Sequence, residues 1–249
     1  MRKTLVFASR NTKEILRDVL TLFFGVLFPV VILLLLSAIN ASIPKEAEMN
    51  LFDIENLVPG IAVFGFSFMS LFSATLVSKD RCTSFILRLF TSPLKSSQYI
   101  VGYTLPLLPM AIVQSVLCYI VALVLGLEFS ANIILAIVAN IPAMVLFIAL
   151  GLLCGTLFND KAVGGVCGAL LTNLTAWLSG TWFDLKLVGG AFEKIANLLP
   201  FTHAVNAGRY ALSGEYSLIL PELLWVSAYA ICILIIAVLV FSIRMKQDK

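Results

Sequence analysis

Residues 20–39 read LTLFFGVLFPVVILLLLSAI, a run of 20 residues without a charged side chain. A helix of about 20 apolar residues is long enough to cross the hydrocarbon core of a bilayer. The run is too long for the apolar region of a typical signal peptide, and SAINAS at residues 37–42 is a poor cleavage site. We therefore predict that this segment is a retained transmembrane helix.

The rest of the chain has the same character. Of its 249 residues, 60% are hydrophobic and 12% are charged, whereas an ordinary soluble domain is about 25% charged. The apolar runs are continuous and do not alternate with polar residues, which argues against a membrane β-barrel. We predict one all-α membrane domain over residues 1–249 with six transmembrane helices, at 20–39, 57–77, 103–127, 131–158, 162–179 and 223–243.

The distribution of basic residues predicts the orientation. Of the 17 lysines and arginines, 13 fall on the side that holds both termini, and four fall on the other side. Cytoplasmic segments carry an excess of Lys and Arg, so both termini are expected in the cytoplasm. The three tryptophans, Trp177, Trp182 and Trp225, then lie near the outer boundary, where an aromatic belt would place them.

The predicted spans lack the residues that several function classes need. No Asp, Glu, Lys, Arg or His lies within the six windows, which disfavours an ion-coupled transporter. The only histidine, His203, is isolated and suits a solvated or capping role, and no pair of the five cysteines has metal-ligand spacing. We expect no catalytic residues, no metal site and no nucleic-acid partner.

The chain also lacks the Gly-x-x-x-x-Gly-Lys-Ser/Thr loop that cradles nucleotide phosphates. We therefore expect it to bind no cofactor itself. If transport is active, ATP and Mg²⁺ must be bound by a partner chain.

One stretch mixes charge with apolar residues, KDRCTSFILRLFTSPLKSSQYIVG at 79–102. As a helix from about residue 81, it has a polar face with Arg81 and Arg88, and an apolar face with Phe85, Leu89 and Phe90. Ser78 or Asp80 could cap its start, and Ser92-Pro93 would end it. The residues alone leave two interpretations open: a helix resting in lipid headgroups, or a transverse helix that meets a cytoplasmic partner.

Two further segments are amphipathic. Residues 2–18 predict an interfacial helix before the first span. Between spans five and six, LVGGAFEKIANLLP at 187–200 predicts one short helix and the residues after Pro200 predict another. Thr202 is a possible cap of the second helix, and Gly214 lies beyond its end.

The spans themselves carry three notable patterns. Phe64, Phe68 and Phe72 recur every four residues, which suits either packing or a hydrophobic path. Asn173 is a polar group within the fifth span. Small-residue pairs that permit close helix approach, either within the chain or in a dimer, are Gly151 with Gly155 and Gly164 with Gly168.

Two motifs resemble the membrane subunits of ABC type-2 exporters. Residues 79–102 are similar to the family's charged, Gly-Thr, Leu-rich, Ser-Pro-Leu segment ending in Gly, with Cys82 and Ser84 replacing the usual glycine and acid. LLPFTHAVNAGRYALSG at 198–214 is similar to the family's signature of a proline followed by an arginine. The order of the predicted helices, over nearly the whole chain, also resembles that family.

The resemblance implies a set of roles. Two copies, or this chain and a related permease, would form the pathway in the bilayer, and each would dock on a separate cytoplasmic ATPase through a coupling helix. Spans one and five would form the dimer contact, and spans two and five would line the cavity. The implied sites are the coupling residues Asp80, Arg81, Phe85, Arg88, Leu89 and Phe90, the cavity residues Phe64, Phe68, Phe72 and Asn173, and the outer-gate residues Pro200 and Arg209.

The expected function is that of an ATP-driven exporter permease in the plasma membrane of a bacterium. Apolar spans favour a hydrophobic or amphipathic cargo, such as a drug, a lipid-like molecule or a peptide. The same family includes exporters of lipid-linked polysaccharide and of sodium. From other classes, a passive channel would need a polar lining, which the spans lack, and a membrane enzyme would need a catalytic constellation.

Overall fold

The computed structural model describes residues 2–43, 50–82 and 96–247, and within them the chain is helical with no β-strand. The helix α1 precedes a series of long helices, and three short ones lie before the last. The elements are α1 (Arg2–Arg17), α2 (Val19–Ser42), α3 (Ile54–Cys82), α4 (Ser96–Val124), α5 (Asn132–Leu157), α6 (160–178), α7 (Leu185–Val188), α8 (Gly190–Leu198), α9 (Pro200–Ser213) and α10 (Tyr216–Gln247).

Five of these helices, among the described residues, are long and apolar enough to cross a membrane: α2, α3, α4, α5 and α10. They coincide with five of the six predicted spans. The remaining prediction, 162–179, coincides with α6, which is helical throughout but contains a π-helical stretch, Gly164–Leu171. The six-span layout is therefore not confirmed at this helix, because Asp160 and Lys161 occupy its first turn and Asn173 interrupts its apolar run.

Helix α3 is the centre of the bundle. Every residue from Leu57 to Ser70 is buried, and the helix packs against α4, α5, α6 and α9. A helix that is covered on all sides belongs to the interior, and neighbouring helices take the lipid-facing positions. Only 22% of the apolar window of α2 and 17% of that of α10 are buried. The outer surface of the described bundle is thus formed largely by the first and last spans.

Glycines set the distance between α3 and α5. A Cβ atom on Gly151 would overlap the carbonyl oxygen of Ser70, and one on Gly155 would come within 2.5 Å of the carbonyl oxygen of Ala74. The Ser73 hydroxyl donates to the Ile148 carbonyl across the same seam at 3.0 Å. This small-residue pair therefore serves packing within the chain.

The second small-residue pair, Gly164 with Gly168, does not pack closely against another helix of the described chain. Among the described residues, no other helix comes within 4 Å of a Cβ built on Gly164 or on Gly165, and Gly168 makes only ordinary contact with Leu71. The first turns of the π-helical stretch thus present backbone that the rest of the described chain does not cover.

Prolines coincide with irregular turns in two of the long helices and leave others continuous. The π-helical stretch Phe23–Leu27 lies just before Pro29, and α5 breaks at Asn140, just before Pro142. Such irregular turns are expected where proline removes a backbone donor. In contrast, α4 runs unbroken through Pro106 and Pro109.

The bundle has two ends, which we call the base and the roof. The base holds α1, the last turn of α3 and the first turn of α4; the roof holds the first turn of α3 and the helices α7, α8 and α9. The two short helices predicted before the last span are confirmed as α8 and α9. The single turn α7 precedes them.

The ends of α9 show one correct and one wrong prediction. Gly214 has a φ of +79° and ends the helix in the left-handed conformation, as predicted. Thr202 is not the cap, because the helix already begins at Pro200 after Leu199. Its hydroxyl instead donates to the carbonyls of Leu178 at 2.6 Å and Ala196 at 3.2 Å.

Candidate functional site

The base is organised around a buried carboxylate, Asp80, in the last turn of α3. Its two oxygens accept hydrogen bonds from Arg10 on α1. The Nη1 atom of Arg10 donates to Oδ2 at 2.7 Å, and the Nη2 atom donates to Oδ1 at 2.8 Å. The hydroxyl of Tyr103 on α4 donates to Oδ2 at 2.8 Å. Asp80 is only 3% exposed. A two-point pair of this kind fixes orientation as well as distance, so three helices are joined at one carboxylate.

Helix α1 lies against α4 next to this junction. The Phe7 ring sits edge-on to Tyr99 and Tyr103, with centroids 5.6 Å and 4.9 Å away. The Asn11 amide donates to the carbonyl of Gly102 at 3.1 Å, and Ile15 is buried. The predicted helix is confirmed. Leu5 and Leu16, two other apolar residues of this helix, are exposed.

Two predicted caps of the coupling helix are wrong. Because α3 continues to Cys82, Ser78 and Asp80 lie inside it and cannot begin a new helix there. The Ser78 hydroxyl bonds to Asp160 at the start of α6 at 3.1 Å, and Asp80 turns towards α1. Polar side chains with partners on neighbouring helices allow α3 to extend beyond its apolar run.

Arg81 connects α3 to the end of α5. Its Nη1 donates to the carbonyls of Gly155 at 2.9 Å and Phe158 at 3.2 Å. Carbonyls at a helix C-terminus lack intrahelical donors and carry partial negative charge, so a guanidinium stabilises them. The other predicted coupling residues, Phe85, Arg88, Leu89 and Phe90, lie outside the described residues. The structure places both flanks of their segment, Cys82 and Ser96, at the base.

The predicted cavity residues fall into two environments. Phe64, Phe68 and Phe72 are each less than 10% exposed. Phe68 contacts Phe24 and Phe28 of α2, and Phe64 contacts Trp182 near the roof. Asn173 is exposed on α6, and its amide donates to Ala169 of the same helix at 2.8 Å. The structure therefore does not bring Asn173 together with the phenylalanines within one chain.

Both predicted gate residues belong to the roof. Pro200 is buried in the first turn of α9. Arg209, on the same helix, donates from Nε to the Asn56 carbonyl at 3.1 Å and from Nη2 to the Gly180 carbonyl at 2.9 Å. Burial lowers the pKa of Arg209 to about 10, and the negative charge of Asp184 only partly opposes that shift. Arg209 thus links α9 to the start of α3 and the end of α6.

An interaction between His203 and Glu222 at the roof was not predicted from the sequence. His203 was expected to be solvated or a cap, but its Nδ1 pairs with Glu222 on α10, and its Nε2 contacts the Asn197 carbonyl at 2.8 Å. Since a carboxylate and a carbonyl are both acceptors, both ring nitrogens donate only when the imidazole is protonated. Burial works to lower the pKa of His203, but the bonds to Glu222 and Asn197 outweigh it and raise the pKa.

Two aromatic side chains of α10 also bond to the end of α8, near His203. Trp225 Nε1 donates to the Leu198 carbonyl at 3.2 Å, and the Tyr229 hydroxyl donates to the same oxygen at 2.9 Å. No local sequence signal marks this arrangement, because its members lie on α8, α9 and α10. Roof and last span are thereby joined.

Comparisons with known proteins agree with this architecture. A family model described as "ABC-2 type transporter" matches residues 2–213, from α1 to the end of α9. The chain is also 28% identical over 205 residues to ABC transporter G family member 20 of Dictyostelium discoideum. That match covers 79% of this chain and 28% of the relative, so the chain spans little more than a quarter of that protein's length. The helices that carry the base and the roof therefore lie within the family match, and the chain belongs to the ABC-2 type transporter family.

Proposed function

We propose that this chain is the permease subunit of an ATP-driven exporter. In this proposal the segment at 81–90 is a coupling helix that docks on a separate ATPase subunit, which binds ATP and Mg²⁺. The observation that carries the proposal is the base junction. Both flanks of the coupling segment lie at the base, where Arg10, Asp80 and Tyr103 join α1, α3 and α4.

The connections at the base give the coupling segment a path to the bundle. Arg81 ties the end of α3 to the end of α5, and most of the rest of α3 is buried, without a break from Leu57 to Ser70. A displacement of α3 at its Arg81 end would be transmitted along the whole helix, because protein interiors are close-packed and resist local compression. At the roof end of the same helix, the Asn56 carbonyl is bonded to Arg209.

We further propose that two copies, or this chain and a related permease, enclose the pathway. In that arrangement α6 crosses the membrane as the fifth span, both termini are cytoplasmic, and α2 and α6 meet the second subunit. The uncovered backbone at Gly164 and Gly165 and the exposed face of α2 support this arrangement. Phe64, Phe68, Phe72 and Asn173 would line the cavity when the subunits move apart, and Pro200 and Arg209 would belong to its outer gate.

The proposed cargo is hydrophobic or amphipathic, such as a drug, a lipid-like molecule or a peptide, in keeping with the aromatic side chains of α2 and α3. Lipid-linked polysaccharide and sodium are the alternatives within the family. The plasma membrane of a bacterium remains the proposed location, and the relative from Dictyostelium discoideum lends no support to a bacterial source.

The test is reconstitution. The chain is purified together with the ATPase that copurifies with it, placed in proteoliposomes, and supplied with a panel of fluorescent amphipathic cargoes. We expect cargo movement that requires ATP and Mg²⁺, and cargo-stimulated ATP hydrolysis. Ion conduction by the purified chain alone, with no ATPase associated, would instead support a passive channel and overturn the proposal.

A further inference from the structure

A cleft of about 380 Å³ opens at the roof, where α8 and α9 meet the end of α6 and the start of α3. Its volume falls within the range of about 300–1,000 Å³ that is typical of small-molecule sites. Polar side chains predominate among its lining residues, which are Leu51, Asn56, Ser179, Gly180, Asp184, Leu185, Lys186, Glu193, Asn197, Thr202, Asn206, Arg209 and Tyr210.

Arg209 is the principal cation of the cleft. The two oxygens that it contacts, at Asn56 and Gly180, are neutral carbonyls. Among the described residues, no carboxylate lies within ion-pairing distance of its guanidinium. The negative charge of Asp184 offsets the cost of burying this cation only in part, so an anionic oxygen in the cleft would stabilise it further.

The cleft is not simply cationic. Asp184 and Glu193 also line it, and Lys186 is the second basic residue, so the four charged side chains balance. An isolated anion would meet Arg209 at one point and two carboxylates at others. A molecule that carries both an anionic and a cationic group matches this distribution better.

The floor of the cleft is held in place by the fold. Gly180 has a φ of +67°, in the left-handed region that favours glycine, and its carbonyl accepts from Arg209. The Ser179 and Thr181 hydroxyls are bonded to each other at 2.7 Å. The Thr202 hydroxyl fixes the Leu178 carbonyl just before this turn. A site whose polar groups are already ordered loses little entropy when a ligand binds.

The surroundings of the cleft point to a lipid. Leu187 and Val188 on α7, and Ile195 and Leu198 on α8, are all more than half exposed beside its charged lining residues. Short helices with such apolar side chains next to polar ones lie in the headgroup region of a bilayer. The cleft would therefore face lipid headgroups.

We propose that this cleft binds a zwitterionic lipid headgroup, with its phosphate on Arg209 and its primary ammonium facing Asp184 and Glu193. Phosphatidylethanolamine has this chemistry. Phosphatidylglycerol lacks the amine, and the trimethylated amine of phosphatidylcholine cannot donate hydrogen bonds. The proposal requires only that the roof lies at a membrane surface, so it does not depend on the proposed transport function.

The experiment measures lipid retention by native mass spectrometry. The full chain, with its ATPase if the two copurify, is placed in nanodiscs of equal parts phosphatidylethanolamine, phosphatidylcholine and phosphatidylglycerol, and is then released. We expect phosphatidylethanolamine to be retained at least about fivefold over phosphatidylglycerol, the effect of one or two partly exposed ion pairs. We also expect it to be retained over phosphatidylcholine, whose quaternary cation cannot donate hydrogen bonds to the two carboxylates. Equal retention of the three lipids would overturn the proposal.

The informative variant is Asp184→Asn with Glu193→Gln. Asparagine still caps α7 as Asp184 does through its bond to the Lys186 amide, so the fold is preserved. We expect this variant to lose the preference for phosphatidylethanolamine over phosphatidylglycerol, whereas Glu128→Gln, in an exposed loop that does not line the cleft, should keep it. An unchanged preference in the double variant would contradict the proposed ammonium contact.

Arg209→Gln tests the phosphate contact and should lower retention of all three phospholipids. Because Arg209 also joins three segments of the roof, its effect is compared with that of Arg209→Lys, which keeps the charge. Recovery of lipid retention in the lysine variant supports the phosphate contact, and equal loss in both variants contradicts it. Soluble glycerophosphoethanolamine serves as a competitor; binding of this compound with no retained lipid would refute the assignment to a lipid.

Discussion

Arg10 and Asp80, which are 70 residues apart in the chain, form a two-point ion pair at the base, with nitrogen–oxygen distances of 2.7 Å and 2.8 Å. The two side chains of this pair differ in their exposure to solvent. The side chain of Asp80 is 4% exposed, whereas that of Arg10 is 37% exposed and also contacts Glu14. Of the two partners of Asp80 described above, Arg10 and Tyr103, only Tyr103 would still donate to the buried carboxylate if Arg10 were removed. The junction is therefore more sensitive to loss of Arg10 than a surface pair would be.

We expect Arg10→Gln to destabilise the folded protein by about 2 kcal/mol, less than the 3–5 kcal/mol of a fully buried pair because solvent screens Arg10. The measurement is thermal unfolding in detergent. Lys13→Gln, an exposed change on the same helix, is the control. Equal melting temperatures for the two variants would show that the ion pair contributes little.

The second prediction concerns the coupling segment. We expect Arg88→Glu and Phe85→Ala to reduce ATPase association while leaving membrane insertion intact, because both residues belong to the predicted amphipathic helix. The measurement is copurification of the ATPase with the tagged permease from solubilised membranes. Arg81→Gln should act mainly on stability, since Arg81 is bonded to α5. Unchanged copurification and transport in both coupling variants would refute the coupling role.

The third prediction concerns the α3–α5 seam. Gly155→Ala should destabilise the bundle by about 1–3 kcal/mol, the usual effect of overpacking, because the new Cβ would meet the backbone of Ala74. The measurement is the yield of monodisperse protein together with its melting temperature. Gly168→Ala is the matched control, since its Cβ would make only ordinary contact with the Leu71 side chain, 3.4 Å away. A harmless Gly155→Ala would mean that the two helices can separate without loss.

The fourth prediction concerns pH. Because the folded state raises the pKa of His203, the pair with Glu222 stabilises the roof fully below the unfolded pKa of about 6.5. That stabilisation is lost as pH rises through the higher, folded pKa. We expect amide exchange at the end of α8 to accelerate as pH increases through this range, beyond the intrinsic chemical effect. His203→Gln should remove this additional dependence, and an identical profile in the variant would exclude His203 as its source.

The helical elements were predictable because their signals are local. The apolar runs identified α2, α3, α4, α5 and α10, since a helix in lipid satisfies its own backbone hydrogen bonds. Amphipathic spacing identified α1 and α8, and the positive φ of Gly214 agreed with the predicted end of α9. The helix α3 extends beyond the predicted span, because its apolar run ends at Val77 but the helix continues to Cys82 through residues bonded to other helices.

The candidate sites were predictable only as residue types. The phenylalanine spacing correctly placed Phe64, Phe68 and Phe72 on one helix, but their burial against α2 depends on how the helices pack. In the same way, Arg209 belonged to a recognisable motif, and nothing near it in the chain indicated that it would bond to Asn56, 153 residues away.

The sequence by itself thus determined a membrane-embedded helical chain and its family, because hydrophobic length and motif order can be read along the chain. The tertiary structure decided which polar groups meet: Arg10 with Asp80, His203 with Glu222, and Arg209 with two carbonyls in a cleft. These pairings follow from distances between helices. Inside a low-dielectric bundle, a buried charge is tolerated only where packing brings it a partner.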